Sequence, residues 1–270
     1  MDERSVKQWA GAYAQAWERS DPDAVVALFT TDASYRSLIF AEPHMGQEEI
    51  RAYWERATAS QDEARVSMGD PLVDGRRAAV EWWTVMKEED EGWITLPGCL
   101  LLEFEGDRCA RLSEYWHLDH AAVEPYEGWG RIEGGGDTRT TRAAAERWTE
   151  AWKAGWETVD ANPIVATYNA EALYRSSPLR APESGGVASY LSRCFPDENN
   201  VTSRFDVWAA SGSYALTIYN AALDDTAEGG EVTIAGCDVL RFSEEGLCVE
   251  QRDYWNICPG RLPNHSAWPD

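Results

Sequence analysis

The chain repeats itself, and this restricts its fold more than any other feature. Asp32-Ala33-Ser34-Tyr35-Arg36-Ser37 returns 139 residues later as Glu171-Ala172-Leu173-Tyr174-Arg175-Ser176. Ile94-Thr95-Leu96-Pro97-Gly98-Cys99 recurs as Val232-Thr233-Ile234-Ala235-Gly236-Cys237, Phe104 as Phe242, Cys109 as Cys248, and Glu114-Tyr115-Trp116 as Asp253-Tyr254-Trp255. Self-similarity in this order predicts two copies of one folding unit, and 270 residues suffice for two cores of ordinary size. We expect a first domain over 1–130, a second over 142–270, and a linker over 131–141 loosened by Gly134-Gly135-Gly136.

Each copy opens with helical spacing. Val6, Trp9, Tyr13, Ala16 and Trp17 recur every three or four residues, and Asp21-Pro22 starts a second helix. Trp148, Trp152 and the run from Ile164 to Tyr168 repeat the pattern. A short strand at Tyr35, a loop with Pro43 and Gly46, and a helix over 47–57 follow. Alternating segments then predict strands over 78–87, 93–104 and 109–117, and again over 214–222, 231–242 and 248–257. The expected class is α+β: two tandem cone-shaped domains, each with N-terminal helices packed on a bent antiparallel sheet.

Charge narrows the partners. Asp and Glu total 47 against 24 Lys and Arg, a net charge of −23 that repels nucleic-acid phosphates and anionic membranes. The apolar runs fall far short of the roughly 18 residues a spanning helix needs. Six cysteines without a CxxC pair or zinc spacing fit a reducing cytoplasm, and their recurrence at equivalent sites favours packing. His117-Leu118-Asp119-His120 has no further spaced ligands, so we expect neither a metal nor a cofactor.

The segment YRSLIFAEPHMGQEEIRAYW (35–54) and the closing EYWH and RDYWN resemble the SnoaL-like, or nuclear-transport-factor-2-like, superfamily, in particular small actinobacterial members of unassigned function. The resemblance implies the cone fold in both copies. The superfamily includes ketosteroid isomerases, polyketide cyclases, scytalone dehydratases, limonene epoxide hydrolases and non-catalytic binding proteins, so chemistry rests on the pocket residues. Aligned with the isomerases, their oxyanion-hole tyrosine falls on Tyr13 and Trp148, their base on Ser37 and Ser176, and their second oxyanion donor on Asp238 but Leu100. The water-activating carboxylate of the epoxide hydrolases falls on Asp253 and Glu114, without a counterpart of the linking arginine.

Strand alternation selects the inward side chains independently. Gly236, Asp238, Leu240 and Phe242 share one face, and Gln251, Asp253 and Trp255 form the matching set. A hairpin closing over 243–246 predicts Asp238 opposite Gln251, with Asp253 its diagonal neighbour roughly 7 Å away. In copy one Gly98, Leu100, Leu112, Glu114 and Trp116 face inward with Tyr13, Tyr35, Ser37, Val80 and Trp82, and His44 stands at the mouth. Trp83 and Tyr219 alternate outward, which predicts an intramolecular pseudo-dimer able to associate further as a homo-oligomer.

These residues predict a cofactor-independent enzyme that moves protons on a small apolar metabolite by isomerisation, cyclisation, dehydration or hydration. Asp238 and Asp253 are the expected acid and base, oriented by Gln251, with Glu114 and Tyr13 as counterparts. Trp255, Trp116, Trp82, Tyr35, Tyr174, Ser37, Ser176, Trp148 and His44 are the expected substrate contacts. The alternative is a non-catalytic small-molecule binding protein of the same fold.

Overall fold

Asp2 caps the first helix by accepting from the Ser5 amide at 2.8 Å, and α1 (Glu3–Glu18) then carries Val6, Trp9, Tyr13 and Trp17 along its buried face. A computed structural model describes residues 1–133, 135–227 and 229–263, and the chain divides into two compact units, Met1–Glu133 and Gly134–Asp270.

In the first unit α1 is followed by α2 (Pro22–Val26), β1 (Phe29–Arg36), β2 (His44–Met45), α3 (Gly46–Ala57), β3 (Gln61–Met68), β4 (Leu72–Asp74), β5 (Arg77–Glu88), β6 (Gly92–Glu105) and β7 (Arg108–Trp116). Among the described residues the sheet runs β2-β1-β7-β6-β5-β3, with β4 on β5, and only β1 and β7 pair in parallel. The helices cover one face, where Val6, Trp9, Tyr13 and Trp54 meet Val80, Leu100 and Leu112.

The second unit opens with α4 (Thr138–Thr158), whose cap Asp137 accepts from the amides of Arg139 and Thr140, so the helix begins inside the segment expected as linker. It continues through α5 (Ala161–Val165), β8 (Tyr168–Arg175), α6 (Gly186–Cys194), β9 (Glu198–Ser211), β10 (Tyr214–Asp225), β11 (Gly230–Phe242) and β12 (Cys248–Pro259). Its sheet runs β8-β12-β11-β10-β9 among the described residues, again with one parallel pair, β8 with β12. No described helix is long and apolar enough to cross a membrane.

Two edge strands, β3 and β9, escape the sequence patterning. β3 reads QDEARVSM and β9 opens on Glu198-Asn199-Asn200, since edge strands expose one flank and tolerate polar residues that mask alternation.

Trp83 is not a free outward aromatic. After β7 the chain turns back over the sheet: Thr95 and Asp119 exchange backbone hydrogen bonds at 2.8 and 2.9 Å, and Thr95 Oγ1 donates to the Ala121 carbonyl at 2.6 Å. Trp83 Nε1 then donates to the Val123 carbonyl at 2.7 Å, Trp129 packs edge-on against Trp83, and the Asp70 amide donates to Gly130 at 2.7 Å. The first unit thus covers its own tryptophan.

Candidate functional site

Two glycines set the inner faces. Gly98 lies opposite Trp82, and a Cβ there would come within 2.5 Å of the indole; Gly236 lies opposite Tyr219, and a Cβ there would collide with the phenol ring. Trp82 and Tyr219 are therefore equivalent, and Tyr219 faces the cavity, contrary to the outward placement expected from the sequence. The copies differ in length between these strands, and one residue of slippage in a strand moves every side chain to the other face.

The acids are closer than expected. Asp238 stands directly opposite Asp253, Leu240 opposite Gln251 and Gly236 opposite Trp255. Direct cross-strand neighbours have Cα atoms roughly 4.5–5.5 Å apart, so the diagonal arrangement is corrected to a facing pair. The Ser243–Leu247 turn pairs Phe242 with Cys248 rather than Leu247, and a bulge between Arg241 and Phe242 moves the register further.

A chain of donors orients the first acid. Nε1 of Trp148 and Nε1 of Trp152 each donate to the Tyr168 hydroxyl at 3.0 Å, and that hydroxyl donates to Gln251 Oε1. With its oxygen so occupied, Gln251 presents Nε2 to Asp238 Oδ1 at 2.7 Å, while Thr217 Oγ1 donates to Oδ2 at 3.1 Å. Asp253 accepts one hydrogen bond among the described residues, from the Tyr219 hydroxyl at 3.0 Å. Burial pushes Asp238 up to about 7 despite the donations from Thr217 and Gln251. Burial, then the charge of Asp238, hold Asp253 well above the usual carboxylate range. With two donors against one, Asp238 is the better stabilised as the anion, which favours the proton of the pair on Asp253.

Both acids line a cavity of about 180 Å³ with Gln251, Trp255, Tyr174 and Trp148. Tyr174 has no hydrogen-bond partner for its hydroxyl among the described residues. In copy one the equivalent Tyr35 hydroxyl reaches Glu114, whereas Asp253, one methylene shorter, is reached from Tyr219 instead. The counterpart of Tyr13 along the helix is Trp152, one turn beyond the expected Trp148 and also in the wall. Sequence reasoning missed Trp156, Phe205, Tyr219 and Glu198, of which two lie on the unrecognised β9. It also missed Tyr168, although a hydroxyl where copy one has the buried Phe29 is a readable signal that a polar network has been added.

Copy one is built differently. The hydroxyls of Tyr13 and Tyr35 are 2.9 Å apart, Tyr35 donates to Glu114 Oε1 at 3.0 Å, and Leu100 stands opposite Glu114. Burial pushes the lone carboxyl of Glu114 up to about 8. Trp17 packs against Trp54 and Trp82 with ring centres 5.4 and 5.0 Å apart. Trp116 and Trp255 donate to the Ser37 and Ser176 carbonyls, both at 2.8 Å. The Ser37 hydroxyl lies 3.5 Å from His44 Nε2, and that of Ser176 donates to Glu183 at 3.1 Å. His44 stacks on Tyr53, and Ser176 is packed away at 1% exposure and does not line the cavity. Among the described residues no group of His, Cys, Asp and Glu is arranged to hold a metal ion.

The SnoaL-like domain family model matches residues 10–112. No curated protein matches the chain. Among solved structures, a Catenulispora acidiphila protein of ketosteroid isomerase-like fold, in complex with trimethylamine, is 21% identical over 40% of this chain and 83% of its own, with a TM-score of 0.37. SalBIII, an epoxide hydrolase/cyclase-like enzyme in pyran ring formation in the polyether salinomycin, is 18% identical over 43% and 93%, with a TM-score of 0.39. An M. tuberculosis LEH-like epoxide hydrolase is 16% identical over 43% and 84%, with a TM-score of 0.37.

Proposed function

We propose that this chain, whose residues 10–112 are a SnoaL-like domain, carries a second SnoaL-like domain in tandem, and that the second catalyses cofactor-independent proton transfer on a small organic molecule. The facing Asp238–Asp253 pair at the wall of the cavity supports this reading most strongly. Two carboxyls sharing one proton supply an acid and a base at the same place. Asp253, with one oxygen free of protein donors, gives its proton to the substrate; Asp238, steadied by Gln251 and Thr217, takes one away. Protein charge is unchanged over the cycle, which suits isomerisation, cyclisation, dehydration or hydration. The unpartnered Tyr174 hydroxyl is available to hold a substrate oxygen.

The cavity bounds the substrate. About 180 Å³ is a little more than the roughly 150 Å³ that accepts benzene. The test is incubation of the full chain in D₂O with a panel of small polyketide-like and terpenoid molecules, followed by mass spectrometry and NMR. Expected is a rearranged or deuterated product whose formation slows on the order of 100-fold in Asp238→Asn and in Asp253→Asn. Ligands that bind without product or exchange would make the second unit a binding protein.

A further inference from the structure

The same cavity carries a further carboxylate that the acid–base reading does not use. Glu198, at the start of β9, lines the cavity and accepts from Trp156 Nε1 at 2.6 Å. It forms no other hydrogen bond and no ion pair with Lys or Arg among the described residues. Asp253, only 6% exposed, likewise has one oxygen without a protein donor. Holding such a carboxylate ionised without a countercharge costs desolvation energy, which a cation arriving from outside the chain offsets.

The surroundings of Glu198 are those an organic cation needs. Trp156, Phe205 and Tyr219 meet at one corner of the cavity: the Phe205 and Tyr219 rings stack at 5.4 Å, and the Trp156 ring lies 6.2 and 6.0 Å from them. Electron-rich ring faces attract a cation, most strongly where water is excluded. No Lys, Arg or His stands among the described residues lining the cavity, so nothing there competes with a bound positive charge. A metal ion is a poor alternative, since indole and phenyl rings supply no oxygen ligands.

We infer that the second unit takes a small organic cation, a protonated or quaternary amine, whose charged head rests on Trp156, Phe205 and Tyr219 with Glu198 as its counter-ion. This rests on the proposed function and adds the substrate class. Trp156 touches both Glu198 and Tyr219, and Tyr219 holds Asp253. The head is therefore anchored beside the Asp238–Asp253 pair, within reach of the reacting part of the same molecule.

The test compares choline with its neutral isostere 3,3-dimethylbutan-1-ol, binding to the full chain at pH 7.5 by calorimetry and tryptophan fluorescence. Choline is expected to bind at least ten-fold more tightly. Glu198→Gln should weaken choline at least ten-fold and leave the alcohol unchanged. Phe205→Leu, which keeps an apolar wall without a ring face, should weaken choline alone, and circular dichroism checks that both variants are folded. Equal or tighter binding of the alcohol overturns the inference while leaving acid–base chemistry on a neutral substrate intact; so does a failure of both probes to bind. Because binding is read without turnover, loss of the proton-transfer reading leaves this result unaffected.

Discussion

Asp238 and Asp253 face each other across β11 and β12, and the donors are shared unequally: among the described residues Gln251 and Thr217 serve the first, Tyr219 the second. This asymmetry gives one proton a preferred seat. Carboxyl-carbon NMR should show the pair retaining a single proton at pH 7, and in Asp238→Asn the remaining Asp253 should titrate at lower pH because its neighbour's charge is gone. Two independent titrations near the unperturbed value of about 3.9 would contradict the pairing.

Glu114 makes stability depend on pH. Its carboxyl is held at about 8 by burial, against 4.5 for an exposed glutamate, so between those values the folded state keeps a proton that the unfolded chain has released. Stability therefore falls as pH rises through that window. Glu114→Gln keeps an acceptor for Tyr35 and removes this residue's share of the dependence. Urea unfolding should find the variant more stable than wild type by roughly 1–3 kcal/mol at pH 8 and nearly equal at pH 4.

Tyr168→Phe tests the donor chain without touching the cavity wall. It strands two buried indole N–H groups, for a loss of about 1–3 kcal/mol each. It also frees the Gln251 amide to turn away from Asp238. The pH profile of turnover should then move upward, as Asp238 loses a donor to its charged form; an unchanged profile with lowered stability would reduce Tyr168 to packing.

The glycines predict opposite outcomes. At Gly236 a methyl group meets the Tyr219 ring, so Gly236→Ala should cost about 1–3 kcal/mol and displace Tyr219 from Asp253. At Gly11, within α1, a methyl group meets nothing within 4 Å, and Gly11→Ala should stabilise by about 0.5–1 kcal/mol. Thermal unfolding of the two variants checks both signs.

The inward faces were legible because alternation is local: Gly236, Asp238 and Leu240, and Gln251, Asp253 and Trp255, each follow from period two. Register was not legible, since it depends on the Ser243–Leu247 turn and the bulge beside Phe242, whose geometry no residue type announces. The same limit misplaced Tyr219, where unequal spacing between the copies slipped the comparison by one residue. Glu198 and Phe205 escaped because β9 is an edge strand of mixed polarity.

The return of the first unit's chain across Trp83 also decides where the two units can be separated. A protease cut at the end of β7 would strip away Ala121, Val123 and Trp129, leaving the indole of Trp83 in water and its N–H without the Val123 carbonyl. A cut beyond Glu133 keeps that cover, including the close approach of Gly130 to Gly69. The smallest autonomous first half is therefore longer than its last strand suggests, and a fragment ended at Trp116 should aggregate through the surface that the missing segment protects.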